Sequence, residues 1–567
     1  MKKIFAPKLF DTLKVYHKKQ FTRDVLAGII VGIVALPLAI AFGIASGVTP
    51  VQGLITAVVA GFTISAFGGS RVQIGGPTGA FIVIVYGIVQ NYGINGLIAA
   101  TFIAGIILIL MGLARLGTVI KFIPHPLIIG FTSGIALVIF SSQVKDFFGL
   151  RMGKVPADFI PKWTVYFHNF NSINLYATGI AAATVVIILL WPKINQKIPG
   201  SLISILITTA VVQFFHLPVE TIGSRFGNIS SFFPAPVVPS VDFETIKHLL
   251  RPAFTIAILG AIESLLSAVV ADGMISGNHR SNTELIAQGG ANIFSSIFGG
   301  IPATGAIART ATNIKNGGRT PVAGIVHSVT LLLILLIAGR WASLVPIANL
   351  AGILMIVCYN MSEWRSFKFI LKGPKGDVAV LLITFFLTVL IDLTIAIEVG
   401  IVLAAFLFMR NMIKSSDVSI LTNEIDDKDF NYDFAEGKYN LPKEVEVFEV
   451  TGPLFFGAAY KFKEAMKYLK QHPKVLIVRM AYVPIIDATG IQTLKEIHKD
   501  CNKKHIKLLL SEVRSAQVLE ELKEARLIFA IGKGNILSTF EKAIERADIL
   551  INEKKIIAND SVLLNKN

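Results

Sequence analysis

Two glycine- and proline-rich segments interrupt hydrophobic sequence, one in each half of the chain. The first reads GGPTGAF at residues 75–81, and the second reads GGIPATGAIAR at residues 299–309. Irregular backbone at membrane depth requires protein or a water-filled cavity around it, and a matched pair of such breaks indicates a transporter's binding site. Each break opens a short helix whose free N–H groups and positive dipole end favour negative charge. The pair therefore predicts an anion carrier, whereas one break alone would indicate a packing kink.

The side chains at these breaks supply the candidate substrate contacts. The residues predicted to line the anion site are Thr78, Gly79, Ala80, Phe81, Ala306, Ile307, Ala308, Arg309 and, from the first apolar segment, Phe42. A guanidinium one turn into the second short helix attracts an anion, but Arg309 can also neutralise Glu263, and both roles remain open. The hydroxyls of Thr78 and Thr304 can bind substrate or their own helix backbone.

Glu263 is an ionisable residue inside the otherwise apolar segment 254–268. Such a group is costly within a membrane and by default marks a functional pathway. Ser267 lies one helical turn later on the same face, so its hydroxyl and the carboxylate can share a cavity. Because a desolvated carboxylate holds a proton more readily, Glu263 and Ser267 are predicted to couple proton movement to transport. An ion pair with Arg309 is the structural alternative.

Composition excludes several other classes of protein. The chain has 567 residues, of which 53% are hydrophobic, and this is too apolar for an ordinary soluble protein. The net charge of +16 is carried largely by residues 2–23, Lys193, Lys197 and residues 365–375, in short connections between apolar segments. That distribution fits membrane topology rather than nucleic-acid binding. No catalytic triad, P-loop or metal-ligand cluster is visible, and Cys358 and Cys501 lie far apart. We therefore expect no enzyme activity, cofactor or metal.

The apolar segments fall into two groups of seven. A helical membrane protein is predicted, with fourteen transmembrane segments near residues 25–47, 51–67, 77–90, 95–113, 126–148, 174–191, 198–215, 252–272, 284–299, 306–314, 320–338, 345–361, 377–390 and 392–413. An odd number per half makes the second half enter from the opposite side, which gives 7+7 inverted repeats. Each break occupies the third position of its repeat.

The distribution of basic residues predicts the orientation. With both termini in the cytoplasm, the basic connections all fall on the cytoplasmic side of a bacterial inner membrane. The two short helices then start at mid-membrane and run in opposite directions, so their N-termini meet. The stretches before them are expected to pair as extended strands, because backbone groups at that depth need partners.

A polar region follows the last apolar segment and leads into a different pattern. Residues 445–450 alternate as a strand does, 474–480 and 506–510 resemble buried parallel strands, and amphipathic helices separate them. The predicted organisation is a cytoplasmic N-terminal segment at 1–23, a membrane anion-transport domain at 24–413, a linker at 414–441, a small cytoplasmic α/β domain at 442–552 and a loose tail at 553–567.

Several motifs resemble the sulfate permease (SulP) family and its C-terminal STAS domain. They are DVLAG at 24–28, ALPLA at 35–39, GPTG at 76–79, ELIAQG at 284–289 and, in the α/β domain, DATG at 487–490. The resemblance implies core and gate domains, a homodimer and an elevator-like movement, with the anion between the third and tenth segments. Many relatives have Gln where this chain has Leu38, so one hydrogen bond to substrate is expected to be missing.

The resemblance also bears on coupling and regulation. Sodium-coupled bicarbonate carriers of the family have Asp where this chain has Glu263, whereas proton-coupled members have Glu. The family's STAS domain is similar to anti-sigma-factor antagonists, which are phosphorylated at the position of Thr489. A phosphate there would meet a helix N-terminus, although the hydroxyl can instead cap the helix.

The leading hypothesis is a secondary active transporter in the lipid bilayer of the inner membrane that takes up sulfate or a small carboxylate together with a proton. A sodium-coupled bicarbonate symporter is the second hypothesis. From a different class, the chain could be a membrane-anchored anion sensor that signals to a cytoplasmic partner through its STAS domain.

Overall fold

The chain folds into two compact units, residues 1–404 and 405–567. The computed structural model describes residues 5–14, 16–118, 124–153, 155–195, 199–227, 233–239, 243–415, 417–421, 441–442, 444–467 and 473–564. Most of the predicted linker and the residues around Lys121 and Lys197 lie outside these ranges. We describe each unit by itself.

The first half of the membrane unit contains nine described helices and one short strand. They are α1 (Lys8–Leu13), α2 (Lys18–Ala45), α3 (Pro50–Phe67), β1 (Gly75–Gly76), α4 (Phe81–Leu113), α5 (His125–Phe148), α6 (Phe159–Asn169), α7 (Leu175–Leu190), α8 (Gly200–Phe214) and α9 (Ile222–Phe226). Pro50 occupies the first turn of α3, where a missing N–H costs nothing, and Thr49 caps that helix.

The second half repeats this pattern with a strand before its third membrane helix. Its elements are α10 (Phe243–Ile275), α11 (Ser281–Ile297), β2 (Thr304–Gly305), α12 (Ile307–Lys315), α13 (Pro321–Ala342), α14 (Ile347–Met361), α15 (Trp364–Ile370), α16 (Lys375–Leu390) and α17 (Leu393–Ser415). Of the described helices, seven are long and apolar enough to cross a membrane by length and composition alone.

Helix α4 comprises two membrane segments. Gly93 has φ +70° and ψ −175°, a conformation that glycine adopts at little steric cost, so the chain reverses there. With α4 counted as two segments and the amphipathic or short helices α1, α6, α9 and α15 set aside, the described helices give fourteen segments as 7+7. The prediction of inverted repeats is confirmed. We call the side of the membrane from which α2 begins the near side and the opposite side the far side.

The membrane helices pack as two groups, which are the core and gate domains. One group brings α2, α3 and α4 against α10, α11, α12 and α13, and the other brings α5, α7 and α8 against α14, α15 and α16. Each group therefore combines corresponding segments of both repeats. Glycines allow the closest approaches, since a Cβ on Gly105 would lie 2.7 Å from the Gly289 carbonyl oxygen.

Two buried carboxylates join the repeats at their near-side ends. Asp24 in α2 accepts hydrogen bonds from the Thr320 hydroxyl at 2.6 Å and the Arg319 backbone N–H at 2.8 Å. Glu284 in α11 accepts from the backbone N–H groups of Gly69 at 2.7 Å and Ser70 at 3.0 Å. Both carboxylates belong to the family-like motifs, and their bonds show a structural reason for the acidic residue in each.

We expect Glu284→Ala to lower the free energy of unfolding by about 3 kcal/mol, because two buried backbone N–H groups would lose their acceptor. Thermal unfolding of the purified full chain in detergent measures the effect. Glu284→Gln is the matched control, since it keeps one oxygen acceptor and should lose clearly less stability. An unchanged transition temperature for Glu284→Ala would contradict this assignment.

The second unit is a five-stranded sheet covered by helices. Its strands are β3 (Asp417–Leu421), β4 (Val445–Thr451), β5 (Val475–Tyr482), β6 (Lys507–Ser511) and β7 (Ile536–Leu537), arranged in that order. Strand β3 pairs antiparallel with β4, and the remaining neighbours are parallel. The helices are α18 (Phe456–Lys467), α19 (Ala488–Lys503), α20 (Ala516–Glu524), α21 (Leu527–Ile531) and α22 (Phe540–Leu564).

Two details of this unit differ from the sequence-based expectation. The predicted linker contains β3, which local sequence did not reveal because its hydrogen-bond partner β4 begins 24 residues later. The predicted loose tail is helical through Leu564, as a continuation of α22. Inside the sheet, Arg479 of β5 donates to Glu449 of β4 at 2.8 Å and to Glu512 beyond β6, and so ties three strands together.

Candidate functional site

The two chain breaks meet as a pair of antiparallel strands. Gly75 pairs with Gly305, and Gly76 pairs with Thr304, so the expected strand pairing is confirmed. Gly76 has φ +145°, and a Cβ there would lie 2.5 Å from Nη1 of Arg309. Glycine at this position therefore provides both the backbone conformation and the space for the guanidinium.

The strands place the starts of two short helices side by side. The first segment of α4 begins at Phe81 after Ala80, and α12 begins at Ile307 after Ala306. The Ala306 N–H donates to the Ile74 carbonyl at 2.8 Å, which fixes the second start against the first. The N–H groups of Phe81 and Ile82 donate to the carbonyl oxygens of Thr78 at 3.3 Å and Gly79 at 3.0 Å. Two positive dipole ends nevertheless converge here. This arrangement suits a small anion.

Arg309 connects the two repeats through backbone carbonyls. Its side chain is buried, and its guanidinium donates to the carbonyl oxygen of Pro77 and, at 3.5 Å, to that of Gly75. Among the described residues it forms no direct ion pair with Glu263. The two charges still attract each other through space, so Arg309 can neutralise Glu263 as well as attract an anion. The arginine holds the first break in place and adds positive charge beside both helix starts.

Glu263 lies on α10 against the first break. The hydroxyl of Thr78 donates to its Oε2 at 2.9 Å, and the side chain is partly buried. The expected neighbour Ser267 is fully buried and bonds instead to the hydroxyl of Thr310 at 3.4 Å. One face of α10 therefore contacts both breaks, with the carboxylate at the first and the serine at the second.

The other predicted site residues form the walls around this point. Phe81 is buried with its ring against Gly260, where a Cβ would lie 3.5 Å from Cζ. Phe42 is buried beside Gly79, and a Cβ on that glycine would lie 3.8 Å from the phenylalanine's Cε1. In contrast, Ile307 and Ala308 are exposed. The predicted residues come together, with Ile307 and Ala308 on the open side of the group.

Sequence reasoning missed the polar side chains that support the breaks. Gln73 donates to the backbone oxygen and hydroxyl of Ser264, each at 3.3 Å. Asn292 of α11 forms a reciprocal pair of bonds, both 2.9 Å long, with the backbone of Ala303. By contrast, Thr304 was a candidate in the sequence, and its hydroxyl donates to the Gly260 carbonyl of α10 at 2.8 Å. A usable signal was present, because Gln73 and Asn292 are amides within otherwise apolar or small-residue sequence.

In the second unit, the N-terminus of α19 contains the DATG motif. Asp487 accepts a hydrogen bond from the Gly490 N–H at 2.8 Å and therefore caps the helix. Thr489 is exposed at the first turn. The alternative in which the Thr489 hydroxyl caps α19 is wrong, because Asp487 occupies that position.

We expect Asp487→Ala to lower the stability of this unit by about 1 kcal/mol, because the helix loses its cap. Thr489→Ala should change it by less than about 0.5 kcal/mol, as exposed substitutions usually do. Chemical denaturation of the full chain, followed by hydrogen exchange of α19 peptides, measures both variants. Equal loss of protection in the two would contradict this division of roles.

Comparisons with known proteins agree with this architecture. Residues 21–384 match the sulfate permease family, and residues 440–543 match the STAS domain. A putative sulfate transporter of Bacillus subtilis, YvdB, is 42% identical over 92% of this chain and 96% of its own length. The bicarbonate transporter BicA of Picosynechococcus sp. is 30% identical over 94% of this chain and 95% of that protein.

Solved structures show the same fold. Murine Slc26a9, an anion transporter, superimposes with a TM-score of 0.85 over 96% of this chain and 94% of that chain, at 19% identity. The transmembrane domain of a cyanobacterial BicA gives a TM-score of 0.60 over 69% of this chain and 98% of that one, at 29% identity.

The inverted repeats, the paired breaks and the converging helix starts define a multi-pass membrane transporter for anions, and not an enzyme. The chain belongs to the sulfate permease family and carries that family's C-terminal STAS domain.

Proposed function

We propose that this protein is a secondary active transporter that takes up sulfate or a small carboxylate together with a proton. The observation that supports this most directly is the position of Glu263. Its carboxylate contacts Thr78 at the meeting point of the two half-helices, which are the first segment of α4 and α12. It forms no direct ion pair among the described residues, although the charge of Arg309 interacts with it through space. A carboxylate in that position can gain and lose a proton as the site changes access, and an anion bound beside it favours the protonated form.

The substrate site in this proposal consists of the two helix starts. Thr78, Gly79, Ala80 and Phe81 face Ala306, Ile307, Ala308 and Arg309 across the strand pair. The first-turn N–H groups of α12 bind the anion, because those of Phe81 and Ile82 in α4 already donate to carbonyl oxygens. The Arg309 charge strengthens their field. Phe42 and Phe81 close the apolar wall. Glu263 is the proton-coupling residue, and Ser267 orients the second break through Thr310.

Alternating access is proposed to occur by movement of the core group against the gate group. The two groups pack chiefly within themselves, so a relative displacement would disturb few internal contacts. The proposed site residues all belong to the core group and would move with it, whereas Met361 of α14 and Ile139 of α5 approach Gly79 from the gate group. We propose a homodimer in the cytoplasmic membrane with both termini inside, since the described basic connections cluster on the near side. Phosphorylation of the exposed Thr489 is a candidate regulatory event of the STAS domain.

A second candidate is sodium-coupled bicarbonate uptake. The relative named as the bicarbonate transporter BicA is 30% identical over 94% of this chain, and this similarity favours bicarbonate as a substrate. The chemistry of the site is compatible with it. Sulfate and bicarbonate are both small oxyanions, and the same N–H groups at the start of a half-helix can bind either of them.

The deciding experiment is uptake by the purified protein in proteoliposomes. Labelled sulfate, bicarbonate and succinate are each offered with an imposed pH gradient, with a sodium gradient and with neither. Accumulation of sulfate or succinate that depends on the pH gradient is the expected result. Sodium-dependent bicarbonate accumulation would establish the second candidate. Anion binding without movement, together with a cytoplasmic protein recovered on the STAS domain, would replace both with an anion sensor.

A further inference from the structure

A cavity of about 560 Å³ lies at the far side of the membrane unit. Its walls are the far-side ends of α2, α5 and α10, the junction of α16 and α17, and the outer part of α4 before Gly93. Helix α6 adds a further wall. Ile82 and Val83 in the first turn of α4 also line it, so the cavity extends to within one helical turn of the first break.

Two lysines line this cavity without a direct ion pair among the described residues. Lys162 of α6 is 3% exposed, and no hydrogen bond or ion pair of its ammonium group occurs within the described part of the chain. Lys145 at the end of α5 donates only to the carbonyl oxygens of Met152 at 3.3 Å and Gly153 at 3.2 Å. Asp158, one turn before Lys162, and Glu220, near Lys145, attract these charges only through space, so neither ammonium group is paired directly.

Other charged residues of the same wall are already engaged. Arg225 pairs with Asp146 at 2.7 Å, and Arg251 pairs with Glu398 at 3.2 Å. Asp392 accepts a bond from the Thr394 N–H at 2.6 Å at the start of α17. Arg225 also pairs with Glu220, so both guanidinium groups are engaged, and the lysines are the cations of this wall that no carboxylate contacts directly within the described part of the chain.

A buried ammonium group without a partner is costly, so its retention needs a compensating interaction. A mobile anion in the cavity would supply that interaction. We propose that Lys162, together with Lys145, forms a second anion-binding site in the far-side cavity, where a small inorganic or carboxylate anion is held before it reaches the two half-helices. This inference rests on the proposed transport function, because it assumes that anions enter from the far side.

The titration of Lys162 adds a second property to this site. Burial lowers the pKa of Lys162 from 10.5 to about 8, and Asp158 one turn earlier opposes the shift. The ammonium group is charged below that pKa and neutral above it, so far-side affinity should fall as the external pH rises from 7 to 9. The titratable and charged groups that share the cavity wall are Tyr86, Tyr92, Lys145, Asp146, Asp158, Arg225, His248, Arg251 and Asp392.

The test compares the two faces of the membrane. Initial rates of transport are measured in right-side-out and inverted vesicles, with the anion that the wild-type protein transports best among sulfate, bicarbonate and succinate. We expect Lys162→Met to raise the apparent KM from the far side about tenfold, because the site loses a unit charge in a partly desolvated cavity. The near-side KM should be unchanged. Lys162→Arg should keep most of the far-side affinity and abolish its loss between pH 7 and 9, since arginine stays charged.

The matched control is Lys247→Met, which removes an exposed lysine of the same face that does not line the cavity. It should leave both KM values unchanged. A normal far-side KM in Lys162→Met, or an equal rise from both faces, would overturn the inference. A comparable rise in Lys247→Met would show a general surface effect instead of a site. If wild-type protein transports none of the anions, the proposed function itself has failed, which is a different result.

A thiol variant keeps the test valid if the methionine variant folds poorly. In Lys162→Cys, a membrane-impermeant reagent that attaches an aminoethyl group should restore far-side affinity, and one that attaches a sulfonatoethyl group should weaken it further. Both native cysteines are buried, and wild-type protein treated with each reagent is the control. Equal effects of the two reagents would overturn the inference, because charge would then be irrelevant.

Discussion

Replacing Glu263 with glutamine is expected to abolish proton-driven accumulation while leaving the protein folded and able to bind its anion. The amide keeps the shape of the side chain and can still accept the hydrogen bond from Thr78, which is 2.9 Å long in the wild-type protein. It removes the group that titrates. A difference of one pH unit stores about 1.4 kcal/mol per proton, which corresponds to about tenfold accumulation for one coupled proton. The variant should reach a ratio near one.

The measurement is the steady-state ratio of labelled anion across proteoliposomes with the membrane potential held at zero. Asp377→Asn is the control, because it makes the same chemical change at an exposed carboxylate in the first turn of α16. Its accumulation ratio should equal that of the wild type. Undiminished accumulation in Glu263→Gln would exclude this residue from coupling. Exchange of anion across the membrane without accumulation would show that only the coupling has been lost.

Replacing Arg309 with alanine is expected to weaken both the anion affinity and the fold. The site would lose a permanent positive charge beside both helix starts, so the dissociation constant should rise by about tenfold or more. The carbonyls of Gly75 and Pro77 would also lose their donor inside the protein. Leaving those acceptors unpaired should cost about 3 kcal/mol of stability. Anion binding by calorimetry and thermal unfolding in detergent measure the two effects on one preparation.

Arg309→Lys separates the two roles. Lysine keeps the charge but lacks the planar fork that reaches two carbonyls at once. We expect it to recover much of the anion affinity and to remain less stable than the wild type. If lysine restores stability but not affinity, anion binding depends on the planar hydrogen-bonding geometry of the guanidinium and not only on its charge. An alanine variant with unchanged affinity would show that Arg309 is purely a structural connection.

The sequence by itself was sufficient for the architecture of the membrane unit, although it did not reveal β3 of the second unit. Apolar runs of membrane length and the gap between the segments at 77–90 and 95–113 can be recognised because each depends on residues adjacent in the chain. The paired breaks at residues 75–81 and 299–309 follow from the same local chemistry, since glycine and proline interrupt a helix wherever they occur. Their matched positions in two halves of seven then imply that the helix starts meet, and the pairing of Gly75 with Gly305 confirms it.

Only the tertiary structure decided which side chains meet at that point. Thr78 reaches Glu263 across 185 positions, and Arg309 reaches the Pro77 carbonyl across 232. Helical periodicity places Ser267 on the face of Glu263, but it does not reveal that Thr310 occupies the space in front of the serine. Lys162 is an ordinary polar residue of an amphipathic helix until α4, α5 and α10 enclose it in one cavity. Periodicity follows from the geometry of one helix, whereas side-chain contacts depend on how several helices pack together. The contacts therefore cannot be obtained from the periodicity.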